Sequence, residues 1–379
     1  MSNIYDIAII GGGIAGASLA YALNGQRSVV LLEQESALGY HSTGRSAAEF
    51  TRRFHSEKVG LLTSMSETFM HSPPEGFSDV PLLRPRGNLL IANAEKHDHL
   101  LNIFANEQAN TPEGVSPVEL LSVSDACDKV PFLNEEWLSA AFYDPDCWDV
   151  EVENLLQGYI RGAKSTGTDV LQNTGIRQVQ WENDHWIIEA EDFSVRARTV
   201  VNATGGWADA TASLFATDPL QIIPHRRTAI SVKVPDYSLH DMPEVNEIDE
   251  VFYFKPDAGQ LMVSPADETP VDPHDAWPEE LDIAYAAHYL SECSTLDIQH
   301  VAHSWAGLRT FAKDRLPVIG YSGQTEGFFW LAGLGGYGIQ TSPAVGQLAA
   351  AQLLNTPAAQ LTPLTHQLIR QFTPARFEN

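Results

Sequence analysis

IYDIAIIGGGIAGASLAYALNGQRSVVLLE, residues 4–33, is the stretch on which the fold turns. Residues 4–10 are a continuous apolar run, as a strand buried on both faces requires. Residues 14–23 read as a helix and 28–32 as a second strand, closed by Glu33. Gly11, Gly13 and Gly16 occupy the turn and first helical residues of this β-α-β unit. The first glycine permits the tight turn, the second lets backbone approach a pyrophosphate, and the third lets helix and strand pack closely. The helix start, at Ile14 and Ala15, offers unpaired N–H groups and the positive end of a dipole to phosphates. Glu33, seventeen residues after Gly16, can accept both hydroxyls of an adenosine ribose. An acid there favours a free 2′-hydroxyl, so the fingerprint points to FAD or NAD rather than NADP.

The bulk properties narrow the class. A chain of 379 residues is long enough for two domains or one elaborate one. Its net charge of −26 argues against nucleic-acid binding, which needs a basic surface, and against docking on anionic lipid. Residues 233–282 hold fourteen Asp or Glu against two Lys, read as a solvated acidic face or as a field for cationic substrates. The three cysteines, Cys127, Cys147 and Cys293, form no CxxC pair, which fits a reducing compartment. The N-terminus enters a core strand directly, and no run of about 18 apolar residues occurs. A cytoplasmic protein without an integral membrane segment is expected, peripheral to a membrane at most through its electron acceptor.

Beyond the opening unit, residues 151–163 read as a helix, 169–171 as a strand, 176–181 and 185–190 as a hairpin, and 198–203 as a buried strand. Residues 328–332 read as a strand, followed by a glycine turn and a helix to about residue 354. Residues 81–144 are loop-rich, and 220–304 hold β-prone runs with one helix at 279–292. Between Glu326 and Arg370 there is no charged Asp, Glu, Lys or Arg. A turn free of carboxylates leading into a helix N-terminus suits a cofactor that becomes negative on reduction.

Four stretches together resemble the D-amino-acid-oxidase-like family of flavoproteins: GGGIAGAS (11–18), GYHSTGRSAA (39–48), VVNATGGWA (200–208), and WAGLRTF (305–311) with VIGY (318–321). GLGGYGIQTSP (333–343) completes the pattern. Within the family, GYHSTGRSAA, Arg226–Arg227, FYFKPDAG (252–259), HSWAGLRTF (303–311) and GGYGIQTS (335–342) are most similar to the D-arginine dehydrogenase branch. The resemblance implies an α/β fold: a Rossmann-like FAD-binding domain from residues 1–80, 145–219 and 305–379, and an inserted α+β substrate domain from 81–144 and 220–304. The latter should carry a large mixed or antiparallel sheet.

The resemblance further implies FAD. It places His41, Ser42, Thr43, Arg45, Ser46, Ala47 and Ala48 on a loop and helix N-terminus that reach the flavin phosphates and ring. Gln34, Ile176, Ala203, Gly205, Trp207 and Gly307 join the cofactor wall, as do Gly335, Gly336, Tyr337, Gly338 and Ile339. Relatives with covalent flavin use a Cys or His tether; no Cys occurs in 305–343, so non-covalent FAD is expected.

The implied reaction is oxidative deamination of a D-amino acid by a dehydrogenase or oxidase. A hydride leaves Cα for the flavin, and the imino acid hydrolyses to a 2-oxo acid and ammonia. A substrate carboxylate wants a bidentate guanidinium, so Arg309 and then Arg227 are candidates, with Tyr253 adding a hydroxyl. The Gly336 carbonyl can accept from the substrate nitrogen. Arginine-specific members carry a glutamate at Asn88, a histidine at Glu49 and a tyrosine at Phe54. Asn88 removes that charge complement, which favours neutral or apolar side chains unless Glu49 takes over as anchor. Thr51, His55 and Gln340 complete the expected side-chain pocket. Histidines 240, 274, 288, 300 and 303 show no HxxxH or HExxH spacing, so no metal is expected. Alternatives are a sarcosine-like secondary-amine oxidase, a 2-hydroxy-acid dehydrogenase, a non-catalytic flavin subunit of a larger complex, or an NAD module. The acceptor (quinone, redox protein or O2) is not readable from the residues.

Overall fold

The computed structural model describes residues 4–53, 56–234 and 236–377. Ile4–Ile10 and Val29–Leu32 pair in parallel at the centre of an eight-stranded sheet, with Ile14–Ala22 as the helix between them. The apolar runs split by alternation. Ile7, Ile9, Val29 and Leu31 pack beneath the helices, while Ala8, Ile10, Val30 and Leu32 join Trp186, Ile188 and Trp330 on the other face. Ser194–Asn202 is longer than the expected strand because its two halves have different partners on one side. Val195–Ala197 pairs with the hairpin strand His185–Glu189, and Val200–Asn202 pairs with Phe328–Ala332.

A nine-stranded sheet forms the second layer. Its spatial order runs Thr269–Pro270, Ile223–Val232, Gln260–Ser264, Tyr253–Asp257, Glu244–Glu247, Asn88–Ala92, Ala140–Asp144, Glu119–Leu121, with Val301–Phe311 also paired to Ile223–Val232. One face is apolar: Leu89, Ile91, Val245, Phe254, Val263 and Ile230 pack against the helices Val123–Lys129 and Glu280–Cys293. The other face presents Asn88, Asn246, Tyr253, Ala229 and Gly307 to a cavity. Val301–Phe311 crosses the expected domain boundary at 305, because its ladder with Ile223–Val232 runs unbroken past it. A small sheet of Glu49–Thr51, Cys147–Val150 and Leu83–Pro85 bridges the two layers.

Residues 39–48 contain no helix, contrary to expectation; they form successive turns ahead of Glu49–Thr51. Gly39 has φ +68°, and the capping-type side chains bond elsewhere. The Thr43 hydroxyl accepts from the Ile14 N–H (3.0 Å), and Ser42 donates to the Leu308 carbonyl (2.6 Å). The loop caps the first helix rather than starting one of its own. Among the described residues no helix is long and apolar enough to cross a membrane.

Candidate active site

A cavity of about 700 Å³ lies between the two large sheets. Every described residue named above as a cofactor or substrate ligand lines it except Gly16. Gly16 serves packing instead: a Cβ there would stand 2.0 Å from the Gly11 carbonyl oxygen. Gly11 has φ +106°, and a Cβ on it would lie 2.4 Å from the Ala203 oxygen. The turn therefore closes only with glycine at both positions. Phe54 and His55 lie outside the described residues.

At the dinucleotide end Glu33 is buried and locked in place. One carboxylate oxygen accepts from the Gly12 N–H (2.7 Å), the other from the Glu35 N–H (2.9 Å). Beside it, His41 donates from Nε2 to the Glu35 carboxylate (3.0 Å) and lies against Trp207, ring centroids 4.5 Å apart. Its buried Nδ1 has no hydrogen-bond partner. Glycine-walled turn, helix N-terminus, buried ribose-type acid and an unspent ring nitrogen form a donor set that fits FAD. Arg45 also lines the cavity, but its guanidinium is tied to Asp275 (2.5 Å) and to the Ala276 and Ala306 carbonyls. None of the three cysteines lines the cavity.

At the other end two guanidiniums converge. Arg227 gives Nε to the Asp267 carbonyl (2.8 Å) and packs over the Tyr253 ring, 5.9 Å from its centroid. Burial, and then the charge of Arg309, hold its pKa below the ordinary arginine value. Among the described residues neither Arg227 nor Arg309 has a carboxylate within 4.0 Å. Arg309 packs on Gly336: a Cβ there would be 3.1 Å from its Nη1. Gly335, at φ +59°, donates its N–H to the Thr310 carbonyl (2.8 Å), which ties the glycine turn to the Val301–Phe311 strand. Two like charges held together in a half-closed, low-dielectric cavity call for an anion between them.

The wall expected to receive the substrate side chain is more acidic than residues 49, 51, 88 and 340 imply. Asn88 accepts from the Asn246 amide (3.0 Å), and Gln340 accepts from the Thr51 N–H (3.1 Å). Parallel pairing of Glu244–Glu247 with Asn88–Ala92 sets Glu244 opposite Asn88 on the wall. Glu244 is 3% exposed, and its pKa is driven well up by burial and then by Glu49. Glu49, Cys147 and Glu244 bring their ligand-type atoms within 4.8 Å of one another. Glu244, Asn246 and the buried Arg53 are wall residues absent from the expected set. The fourteen acids of 233–282 were the only sequence signal for Glu244.

Fold and site together define a dinucleotide-binding α/β oxidoreductase with two guanidiniums facing the cofactor cleft. The FAD dependent oxidoreductase family model (DAO) matches residues 6–352, and the chain belongs to that family; its cofactor is FAD. It is 25% identical over 371 residues to glycine oxidase of Geobacillus kaustophilus, covering 92% of this chain and 93% of that one. It is 23% identical over 385 residues to mitochondrial dimethylglycine dehydrogenase of Rattus norvegicus, covering 92% of this chain but 43% of that protein. Among solved structures, L-proline dehydrogenase from P. horikoshii superposes with a TM-score of 0.80 at 22% identity, over 100% of this chain and 99% of the other.

Proposed function

We propose that this protein oxidises the carbon–nitrogen bond of a free α-amino acid, D-amino acids being the leading class, with non-covalently held FAD. The observation that supports it is the Arg227–Arg309 pair, half-buried, facing the cavity and, among the described residues, without a carboxylate within 4.0 Å. FAD, when bound, supplies the two-electron acceptor for the substrate hydride. The chain's own residues do the positioning. Arg309 and Arg227 hold the carboxylate in a bidentate grip, and the Tyr253 hydroxyl adds a hydrogen bond. The Gly336 carbonyl accepts an N–H of the substrate amine, which orients Cα. No side-chain base is required if the amine reaches the site neutral. The imine released hydrolyses in water to 2-oxo acid and ammonia.

A second reading keeps the anchor and changes the amine. Glycine oxidase, dimethylglycine dehydrogenase and L-proline dehydrogenase are names of relatives or fold neighbours. They span primary, secondary and tertiary amines, all next to a carboxylate. Anaerobic mixing of purified holoenzyme with D- and L-amino acids, glycine, sarcosine, dimethylglycine and 2-hydroxyglutarate separates the readings. Bleaching of the flavin band by D-amino acids alone is expected. Bleaching only by sarcosine or dimethylglycine moves the protein to the second reading, and no bleaching by any of them sinks both. Repeating the mix with O2, a quinone analogue or an artificial dye identifies the acceptor.

A further inference from the structure

We propose that Trp277, Leu281 and Tyr285 form the centre of a docking surface for a second protein, a one-electron carrier whose apolar contact is ringed by Lys and Arg. This rests on the FAD chemistry of the family and is independent of which amine is oxidised.

The three side chains recur every fourth residue, Leu281 and Tyr285 on the helix Glu280–Cys293 and Trp277 just ahead of it. The opposite face of that helix, with Ala286, Leu290 and Cys293, is buried on the second sheet. Trp277, Leu281 and Tyr285 are 72%, 59% and 43% exposed. Monomeric proteins rarely leave a stripe of large apolar side chains open unless something docks on it. Tyr285 stacks on Tyr289 (centroids 6.0 Å) and Tyr289 on Phe252 (5.4 Å), so its ring is held in place before a partner arrives.

Charge selects the occupant. Between Lys255 and Arg309 the chain carries ten Asp or Glu and no Lys or Arg. Asp272, Asp275, Glu279 and Glu280 flank Trp277 and are exposed. Such a rim repels a second copy of this chain and an anionic membrane, and attracts a basic protein. The same segment walls the cofactor cavity. Asp275 and the Ala276 carbonyl hold the Arg45 guanidinium, and buried Ala276 packs in one cluster with Trp207. Arg45 and Trp207 both line the cavity, and Trp277 follows Ala276 directly. A carrier seated on Trp277 therefore meets the outer side of a wall whose inner side faces the cofactor. On reoxidation two electrons leave, one to each of two carrier molecules in turn, and the flavin proton goes to water.

The probe is cytochrome c, a basic one-electron carrier. Titration calorimetry with holoprotein at low salt should show saturable binding that weakens as salt rises. Trp277→Ser with Leu281→Ser, and separately Asp272→Lys with Glu280→Lys, should each raise Kd by about tenfold or more. Glu182→Lys with Asp192→Lys, the same charge change at exposed positions beside His185–Glu189, should raise it far less. Holoprotein reduced by light and a sacrificial donor, with no amino acid present, should pass electrons more slowly to cytochrome c in the first two pairs and at an unchanged rate to a small dye. No binding by the wild type overturns the proposal, as does equal weakening by the patch and control charge reversals. A wild-type dimer that Trp277→Ser with Leu281→Ser splits, or binding to phosphatidylcholine vesicles that it abolishes, replaces the carrier with a second copy or a membrane. Loss of cytochrome c binding while amino acids still bleach the flavin separates failure here from failure of the amino-acid reading.

Discussion

Arg226 and Arg227 are adjacent on one strand, and the two-residue period sends them to opposite faces. Arg226 meets Glu279 and, at 2.8 Å, Asp282, with Asp267 at 3.7 Å. Arg227 faces the cavity. Their substitutions should therefore separate cleanly. Arg226→Met strands buried carboxylates and should cost about 3–5 kcal/mol of stability, read by denaturant unfolding. Arg227→Met should leave the midpoint nearly in place and raise KM for carboxylate substrates. Arg309→Ala should lower kcat/KM by about 2–4 kcal/mol of transition-state stabilisation, and unchanged KM and kcat there would refute the anchor. Gly336→Ala drives its Cβ at the Arg309 guanidinium and should mimic a weaker form of the same defect. Asp144 is a residue-scale case of another kind. Burial, only partly offset by Arg53, lifts its pKa from 3.8 to about 6. The folded state then binds more protons than the unfolded one between those values, so this contribution is present at low pH and lost as pH rises to about 6. Melting curves of Asp144→Asn against wild type from about pH 4 to 7 should show the wild type losing ground across that window.

At the scale of elements, the helices Ile14–Ala22 and Gly338–Leu353 cross where Gly346 meets Ser18. A Cβ on Gly346 would sit 2.6 Å from the Ser18 carbonyl oxygen. Gly346→Ala should wedge the pair apart and cost about 1–3 kcal/mol, with loss of FAD retention, since the first helix carries the phosphate-facing turn. Legibility also differed by element. The opening strand, helix and strand were readable because glycine spacing and an unbroken apolar run act locally, and Ile4–Ile10 has the expected bounds. The turns at 39–45 are not legible in the sequence, because Ser and Thr suit a helix N-terminus as well as a loop. The Ser42 and Thr43 hydroxyls bond the Leu308 carbonyl and the Ile14 N–H, partners fixed only by the tertiary fold. Glu244 was unreadable as a pocket acid. Its place opposite Asn88 comes from a parallel pairing across more than 150 residues of chain, and no local pattern records that register.

For the whole molecule, the charge of −26 is a long-range term that the pairwise ion bridges do not cancel. Moderate salt should raise the melting temperature by screening this self-repulsion, measured as Tm from low to about 0.5 M ionic strength. FAD should add to stability in proportion to the logarithm of its free concentration, so apoprotein should melt below holoprotein.

The second sheet has a consequence for how this chain can change. Val301–Phe311 and Ile223–Val232 carry the arginines at one flank, while Asn88–Ala92 and Glu244–Glu247 carry the proposed side-chain pocket. Gln260–Ser264 and Tyr253–Asp257 stand between these flanks as a spacer two strands wide. Strands lie about 4.8 Å apart, so the flanks are separated by a fixed backbone ruler rather than by flexible side chains. Substitutions on the pocket flank can retune which substrate is chosen while the reacting carbon keeps its address. Selectivity and chemistry are thus free to evolve on separate strands.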